Sequence, residues 1–342
     1  MKHLIFFLIS SFLLISAPQA RRPRKERPVA KAWIAITLDG TVLSERNADD
    51  VRSIASLSKL VATLVVVEEG LKLDAVTTMI ESDWKIAAGG SRTRLKRGKS
   101  YTNRDLLHAA LLGSDNRAIP ALGRAVGLNA LSMVVKMNVR VRKMGLKKTL
   151  FLDPTGINYG NISTAREFVR ILKEVMKNKI LASVMKKETY TVKRKGLRSI
   201  IYNNTNILTR YGKYNVQAGK TGFNYSAGYC LATIVKEKNL PPVAYVVLGS
   251  SGLLKRFGDF YLIRRSARST ASKMQIMDKT LHKSKKYHVK TMSKGKSLQY
   301  TGKISTRRKT PKKNSLSRKT AKRTAPRHHK TRSNSVSSKN RH

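Results

Sequence analysis

The amino-acid sequence predicts an α+β fold: one antiparallel sheet whose first strands pair with its last, flanked by helices, with a mostly helical insertion between. Three observations carry this expectation. Strand-like apolar runs open the chain near Ala32 and return only after Asn215. The stretches Ala118 to Met144 and Thr164 to Met185 repeat apolar residues at intervals of three and four. The late runs are short, turn-bounded and close enough to pair as antiparallel neighbours.

Residues 1–20 hold Lys2, an apolar stretch from Leu4 to Ile15 and then S-A-P-Q-A, the pattern of a secretory signal peptide. The apolar core is too short to span a bilayer comfortably, and an uncleaved anchor is the alternative; either exports the body to a periplasm or cell envelope. Residues 21–28 form a basic spacer. Ala32 to Leu38, Asp39-Gly40 and Thr41 to Leu43 then read as strand, tight turn and returning strand. The run from Leu57 to Glu69 reads as a buried helix closed by Gly70, with Ser56 at its N-terminus. A turn-rich region around Ala88 to Lys99 leads to an amphipathic helix from about Asn103 to Leu112, so Ser114 starts the loop after a helix. Asp153-Pro154-Thr155-Gly156 breaks the helical middle. Asn215 to Thr221, Gly228 to Val235 and Val243 to Leu248 are the late strands, covered by a final helix from about Leu253 to Ser266.

The 342 residues carry 70 Lys and Arg against 19 Asp and Glu, a formal net charge of +51, and the excess is shared between body and tail. Both parts therefore prefer anionic surroundings. Residues 29–268 form the folded domain, whereas residues 269–342 lose hydrophobic periodicity and read as a basic disordered tail. Cys230 is the only cysteine, which excludes an internal disulfide and reads as a small buried apolar side chain. Between Val29 and Ile263 the only histidine is His108, and there is no G-x-S-x-G, so a Ser-His-Asp hydrolase would have to be built around one helix residue, and no zinc site can be assembled from it either. No cofactor is implied.

Three strings in fixed order carry the chemistry: S-L-S-K at Ser56 to Lys59, S-D-N at Ser114 to Asn116 and K-T-G at Lys220 to Gly222. S-x-x-K also occurs at Ser82, Ser183 and Ser293; what singles out Ser56 is the apolar helix behind it. Helical spacing of three places Ser56 and Lys59 on one face. A serine hydroxyl is a poor nucleophile until a base takes its proton, and a lysine is that base only when burial or another cation destabilises its ammonium. Lys220 is the candidate cation. The spacings of 58 and 106 residues leave room for the helical insertion that carries the second string.

Together with SIASLSKLVA, GSDNRA, FLDPTGI, NISTARE, NNTN and GKTGFNYSAGYCL, these strings resemble the low-molecular-weight penicillin-binding proteins, serine D-alanyl-D-alanine carboxypeptidases and endopeptidases, over roughly residues 32–263. The resemblance implies the penicillin-recognising fold shared by DD-peptidases and β-lactamases. It implies Ser56 as nucleophile, Lys59 as its base and Ser114 as a proton shuttle. Asn116, Lys220, Thr221 and Gly222 would bind substrate, and the backbone N–H groups of Ser56 and Phe223 would form the oxyanion hole. Peptidoglycan stem peptides are the implied substrate and β-lactams covalent inhibitors. The segment E-x-x-L-N of class A β-lactamases is missing between Ser114 and Lys220, so slow release of penicillin is expected. N-N-T-N and G-Y-C-L look more like endopeptidases that cut cross-bridges than carboxypeptidases that trim stem ends. A non-catalytic cationic envelope protein is the alternative from another class. The basic tail suits an anionic envelope polymer, and nucleic acid is an improbable ligand for an exported protein.

Overall fold

The computed structural model describes residues 26–194 and 197–293. The expected signal peptide and the far end of the tail lie outside the described residues. The chain divides into two units, residues 1–286 and 287–342, and the elements that build the site belong to the first.

β1 (Ala32–Thr37) and β2 (Val42–Arg46) form the opening hairpin. β3 (Arg52–Ser53) leads into a 3₁₀ turn, Ala55–Ser58, and α1 (Lys59–Glu68). β4 (Val76–Thr78), α2 (Glu81–Ile86) and β5 (Ser100–Thr102) surround the turn-rich region. The insertion continues through α3 (Asn103–Leu111), α4 (Ala118–Ala125), α5 (Ala130–Lys143), β6 (Ile162–Ser163), α6 (Ala165–Lys177) and α7 (Lys179–Met185). A hairpin of β7 (Thr189–Arg194) and β8 (Leu197–Asn203) and the short α8 (Ile207–Arg210) follow. β9 (Val216–Asn224), β10 (Gly228–Val235), β11 (Val243–Ser250) and α9 (Lys255–Ser293) complete the chain.

The main sheet has the order β2-β1-β11-β10-β9, every neighbour antiparallel. The first strands do pair with the last, as Ala32 opposite Leu248 and Thr37 opposite Val243 show. β9, which carries K-T-G, is an edge strand. Both sheet faces are buried by strict alternation. Ile34, Val246, Ala232 and Ile234 face a core shared with α1 and α6, while Trp33, Tyr245, Val247 and Leu231 face Phe257, Phe260 and Ile263 of α9. α1 is buried on all sides, from Leu60 through Val66, so it runs through the centre of the domain.

Three local readings change. The helix after Ser56 begins at Lys59, and Ser56 itself sits in the tighter 3₁₀ turn, because Ala55 adopts a left-handed φ of 48° before it. The β7–β8 hairpin was not expected: its burial pattern is weak, with only Val192, Ile200 and Tyr202 buried among its described apolar side chains. α9 runs to Ser293 rather than stopping near Ser266, so residues 269–293, expected as the start of the disordered tail, are helical. Its packing ends at Ala267 and Ala271, and beyond them Met274, Ile276 and Met277 are exposed. Periodicity reports packing, whereas beyond Ala271 the helix continues with little of it, Gln275 Nε2 donating to the Asn239 carbonyl at 3.1 Å.

Candidate active site

Lys59 is the first residue of α1 and is fully buried. Its Nζ lies 2.8 Å from Ser56 Oγ, 2.5 Å from Asn116 Oδ1 and 2.6 Å from the Thr155 carbonyl oxygen. Residues 56, 59 and 116, far apart in two of the three strings, thus meet at one nitrogen. Burial lowers the Lys59 pKa from 10.5 to about 7, while the more distant carboxylates of Asp153 and Asp115 raise it.

The three partners fix what a neutral Lys59 does. The Asn116 and Thr155 oxygens can only accept, so the two protons of the uncharged amine go to them. The remaining lone pair faces Ser56, and the hydroxyl proton then points at nitrogen. In this state the Ser56 hydroxyl is hydrogen-bonded to an amine able to take its proton.

The Thr155 carbonyl is held by its own loop. Asp153 Oδ1 accepts from Thr155 N at 2.6 Å, Thr155 Oγ1 at 2.5 Å and Gly156 N at 2.9 Å, and Oδ2 accepts from Asn158 N at 2.7 Å. Gly156 has φ +85° and stands against the Ala55–Ser56 peptide so closely that a Cβ would collide with the Ala55 carbonyl. The fully buried Asn161 ties this loop to the nucleophile's turn. Its Nδ2 donates to Ser58 Oγ (2.9 Å) and Asp153 O (2.8 Å), and its Oδ1 accepts from Leu152 N (2.8 Å). Asn161→Ala is expected to destabilise the domain by about 2–4 kcal/mol, because buried groups lose their partners. Thermal or urea unfolding checks this, and a loss below about 1 kcal/mol would mean the loop stands without it.

K-T-G approaches from the other side. A Cβ at Gly222 would stand 2.9 Å from Ile54 O and 3.3 Å from Ser56 N, so glycine lets the edge strand lie against the nucleophile's backbone. Phe223 follows on that strand, half exposed and stacked on Tyr229 at 4.2 Å. Thr221 Oγ1 donates to Thr205 Oγ1 at 2.8 Å, and Thr205 N donates to Leu112 O at 3.0 Å, which links N-N-T-N to both the strand and the end of α3. Arg256, buried at the start of α9, donates to the Gly222 carbonyl at 3.2 Å behind the strand.

Lys220 is also fully buried, and its Nζ donates to Thr221 O at 2.9 Å. Its pKa is lowered well below the ordinary lysine value, first by burial, then by the Lys59 and Arg256 charges. The expectation that Lys220 supplies the cation that depresses Lys59 therefore needs revision: burial does most of that work, and Lys220 is itself depressed.

Ser114 occupies the left-handed region, φ 56°, in the loop after α3, and its hydroxyl has no hydrogen bond among the described residues. No direct bond to Lys59 or Lys220 fixes its shuttle role. Its neighbour Asp115 is buried and takes hydrogen bonds from Thr93 Oγ1 (2.5 Å), Arg117 N (3.1 Å) and Tyr202 OH (3.3 Å), with burial raising its pKa. Asn116 Nδ2 has only Ser91 Oγ, at 3.4 Å, leaving donor capacity toward the cleft. His108 is a buried α3 residue stacked on Tyr190, apart from this network, and burial pushes the Cys230 thiol up to about 11.

Sequence reasoning missed the Thr155 carbonyl, Asn161 and Arg256. D-P-T-G and N-I-S-T were legible as a turn and a helix start, but nothing in them says that a carbonyl faces Lys59.

The family model described as D-alanyl-D-alanine carboxypeptidase matches residues 19–252. A D-alanyl-D-alanine endopeptidase of Pseudomonas aeruginosa is 32% identical over 276 residues, covering 78% of this chain and 88% of that protein. The Escherichia coli D-alanyl-D-alanine endopeptidase is 29% identical, covering 65% of this chain and 72% of that protein. A D-alanyl-D-alanine carboxypeptidase of Bacillus subtilis is 28% identical over 73% of this chain and 67% of its own length. Among solved structures, a Streptomyces DD-transpeptidase superposes with a TM-score of 0.66 at 30% identity, covering 72% of this chain and 99% of that one. With the sheet order, the helical insertion and the buried lysine in place, the chain belongs to the D-alanyl-D-alanine carboxypeptidase family of serine peptidases.

Proposed function

We propose that the protein hydrolyses D-alanyl peptide bonds in peptidoglycan through an acyl-Ser56 intermediate, and that its preferred substrate is the cross-bridge. The observation that carries the mechanism is the 2.8 Å contact between Ser56 Oγ and a lysine amine that burial brings to a pKa of about 7.

Ser56 Oγ attacks the D-alanyl carbonyl while its proton passes to Lys59 Nζ. The oxyanion takes hydrogen bonds from the backbone N–H groups of Ser56 and Phe223, a reading supported by Gly222, the residue before Phe223, lying close to Ser56 N. The proton leaves with the departing amine through Ser114, whose unengaged hydroxyl suits a relay. Water then releases the acyl group and returns a proton to Ser56 by the reverse path. The substrate backbone adds to the free edge of β9, Asn116 Nδ2 donates to its peptide, and Thr221 and Lys220 meet its carboxylate. That carboxylate would supply the negative charge that Lys220 lacks in the free site. β-Lactams enter by the same attack and stay bound as acyl-enzyme.

The endopeptidase preference is supported by N-N-T-N, whose Thr205 touches Thr221, and by similarity to endopeptidases of three bacteria. Digestion of purified muropeptides tests it: cross-linked dimers are expected to disappear while pentapeptide monomers persist. Trimming of pentapeptides with dimers left intact would make the enzyme a carboxypeptidase. Export by residues 1–20 and retention by the basic tail near an anionic envelope polymer complete this reading.

A further inference from the structure

A cleft of about 280 Å³ opens between α5 and α6, and its lining is almost entirely cationic. Arg140 and Lys143 come from α5, and Arg170, Lys173 and Lys177 from α6; Glu174 is the one acid and Met144 the one apolar side chain. Glu174 is already claimed twice, by Lys177 at 2.7 Å and Arg140 at 3.2 Å. Arg140 also reaches Glu68 at 3.0 Å, and Lys173 Nζ donates to the Leu38 carbonyl at 2.7 Å. Lys143 and Arg170 have no ion pair or hydrogen bond among the described residues.

Five cations around one carboxylate repel one another, and helices pack without needing such an arrangement. The bonds to Glu174, Glu68 and Leu38 hold three of the cations in place, so part of the ordering cost of binding an anion is met before it arrives. The two unpartnered groups differ in kind: the Arg170 fork offers paired parallel donors, and Lys143 offers a point charge. Phosphate, with several oxygens and more than one charge, uses both together, whereas a lone carboxylate satisfies the guanidinium alone. The volume sits just below the range of roughly 300–1,000 Å³ usual for small-molecule pockets. With a single apolar lining residue, the cleft suits a charged headgroup rather than an apolar ligand.

We propose that this cleft binds a phosphate monoester group, and thereby docks the enzyme on a phosphorylated component of its surroundings independently of the active site. Titration of the full chain with tripolyphosphate at about 0.15 M salt tests this, comparing wild type with Lys143→Ala/Arg170→Ala. The control, Arg265→Ala/Lys273→Ala, removes the same charge from the exposed part of α9. Affinity is expected to fall about tenfold in the cleft variant and by no more than about twofold in the control. Equal losses in the two variants, or no loss in either, would overturn the proposal. Labelling by fluorescent penicillin is expected to persist in the cleft variant; if that double variant fails to fold, the charge reversal Lys143→Glu is measured instead against the same control. Vesicles of phosphatidic acid and of phosphatidylcholine separate the sources. Retention on the former alone, lost in the cleft variant, assigns a lipid headgroup. Binding of tripolyphosphate without vesicle retention assigns a soluble or polymeric phosphate.

Discussion

Ser56→Ala is expected to abolish covalent labelling by a fluorescent penicillin and to lower peptidase turnover by a factor on the order of 10⁴–10⁶, the scale of losing the nucleophile of a serine hydrolase. The fold is expected to survive, because Ser56 Oγ has Lys59 as its one side-chain partner and sits only partly buried in its turn. A thermal midpoint within a few degrees of wild type, about 1 kcal/mol or less for a domain of this size, separates lost chemistry from lost structure. Labelling that persists in Ser56→Ala would place the acyl group elsewhere and remove the basis of the mechanism.

Lys59→Met has the second large effect, a fall in acylation of about 10²–10⁴-fold, the range attributed to general acid–base catalysis. Methionine keeps much of the length and volume but leaves the Asn116 and Thr155 oxygens without their donor. Its stability change is therefore the difference between two costs: about 1–3 kcal/mol for each orphaned acceptor, against relief from a buried amine. Lys59→Arg separates charge from basicity, since a guanidinium stays protonated and cannot accept the Ser56 proton. It is expected to be as inactive as the methionine variant. The depressed pKa also has a consequence for stability. Between about pH 7 and the ordinary lysine value of 10.5, the unfolded chain holds a proton on this amine that the folded chain does not. The penalty is therefore greatest below pH 7, and this group's contribution to stability improves as pH rises through that window. The domain tolerates the penalty because α1 is surrounded by core on all sides, from Leu60 to Val66.

The sheet and the nucleophile were legible in the sequence for different reasons. β10 occupies the predicted Gly228–Val235, and β11 extends the predicted run only to Ser250, because buried strands are continuous apolar runs bounded by turns. K-T-G falls on an edge because nothing after β9 in the sheet order covers it. Ser56 and Lys59 needed only the spacing of one helical turn and an apolar helix in which lysine is out of place. Backbone groups were not legible: the Thr155 carbonyl meets Lys59 Nζ through its position, and sequence reports side chains. Asn161 was hidden for the same reason, as one of two asparagines in N-Y-G-N-I-S-T, distinguished only by its burial between Ser58 and Asp153. Lys220 was read as the cation that depresses Lys59, whereas burial is the first cause for both lysines and lowers Lys220 as well. The far part of α9 was missed because it buries few apolar side chains, Met274, Ile276 and Met277 all being exposed.

The central claim is that an uncharged Lys59 amine receives the Ser56 proton, and the rate of acylation by a fluorescent penicillin, measured from about pH 5 to about pH 10, tests it most directly. The rate is expected to rise tenfold per pH unit at the acid end and to level off with a midpoint near 7, the pKa that burial gives Lys59. A profile that keeps rising to the ordinary lysine value of 10.5, or one that is flat through pH 7, would contradict it.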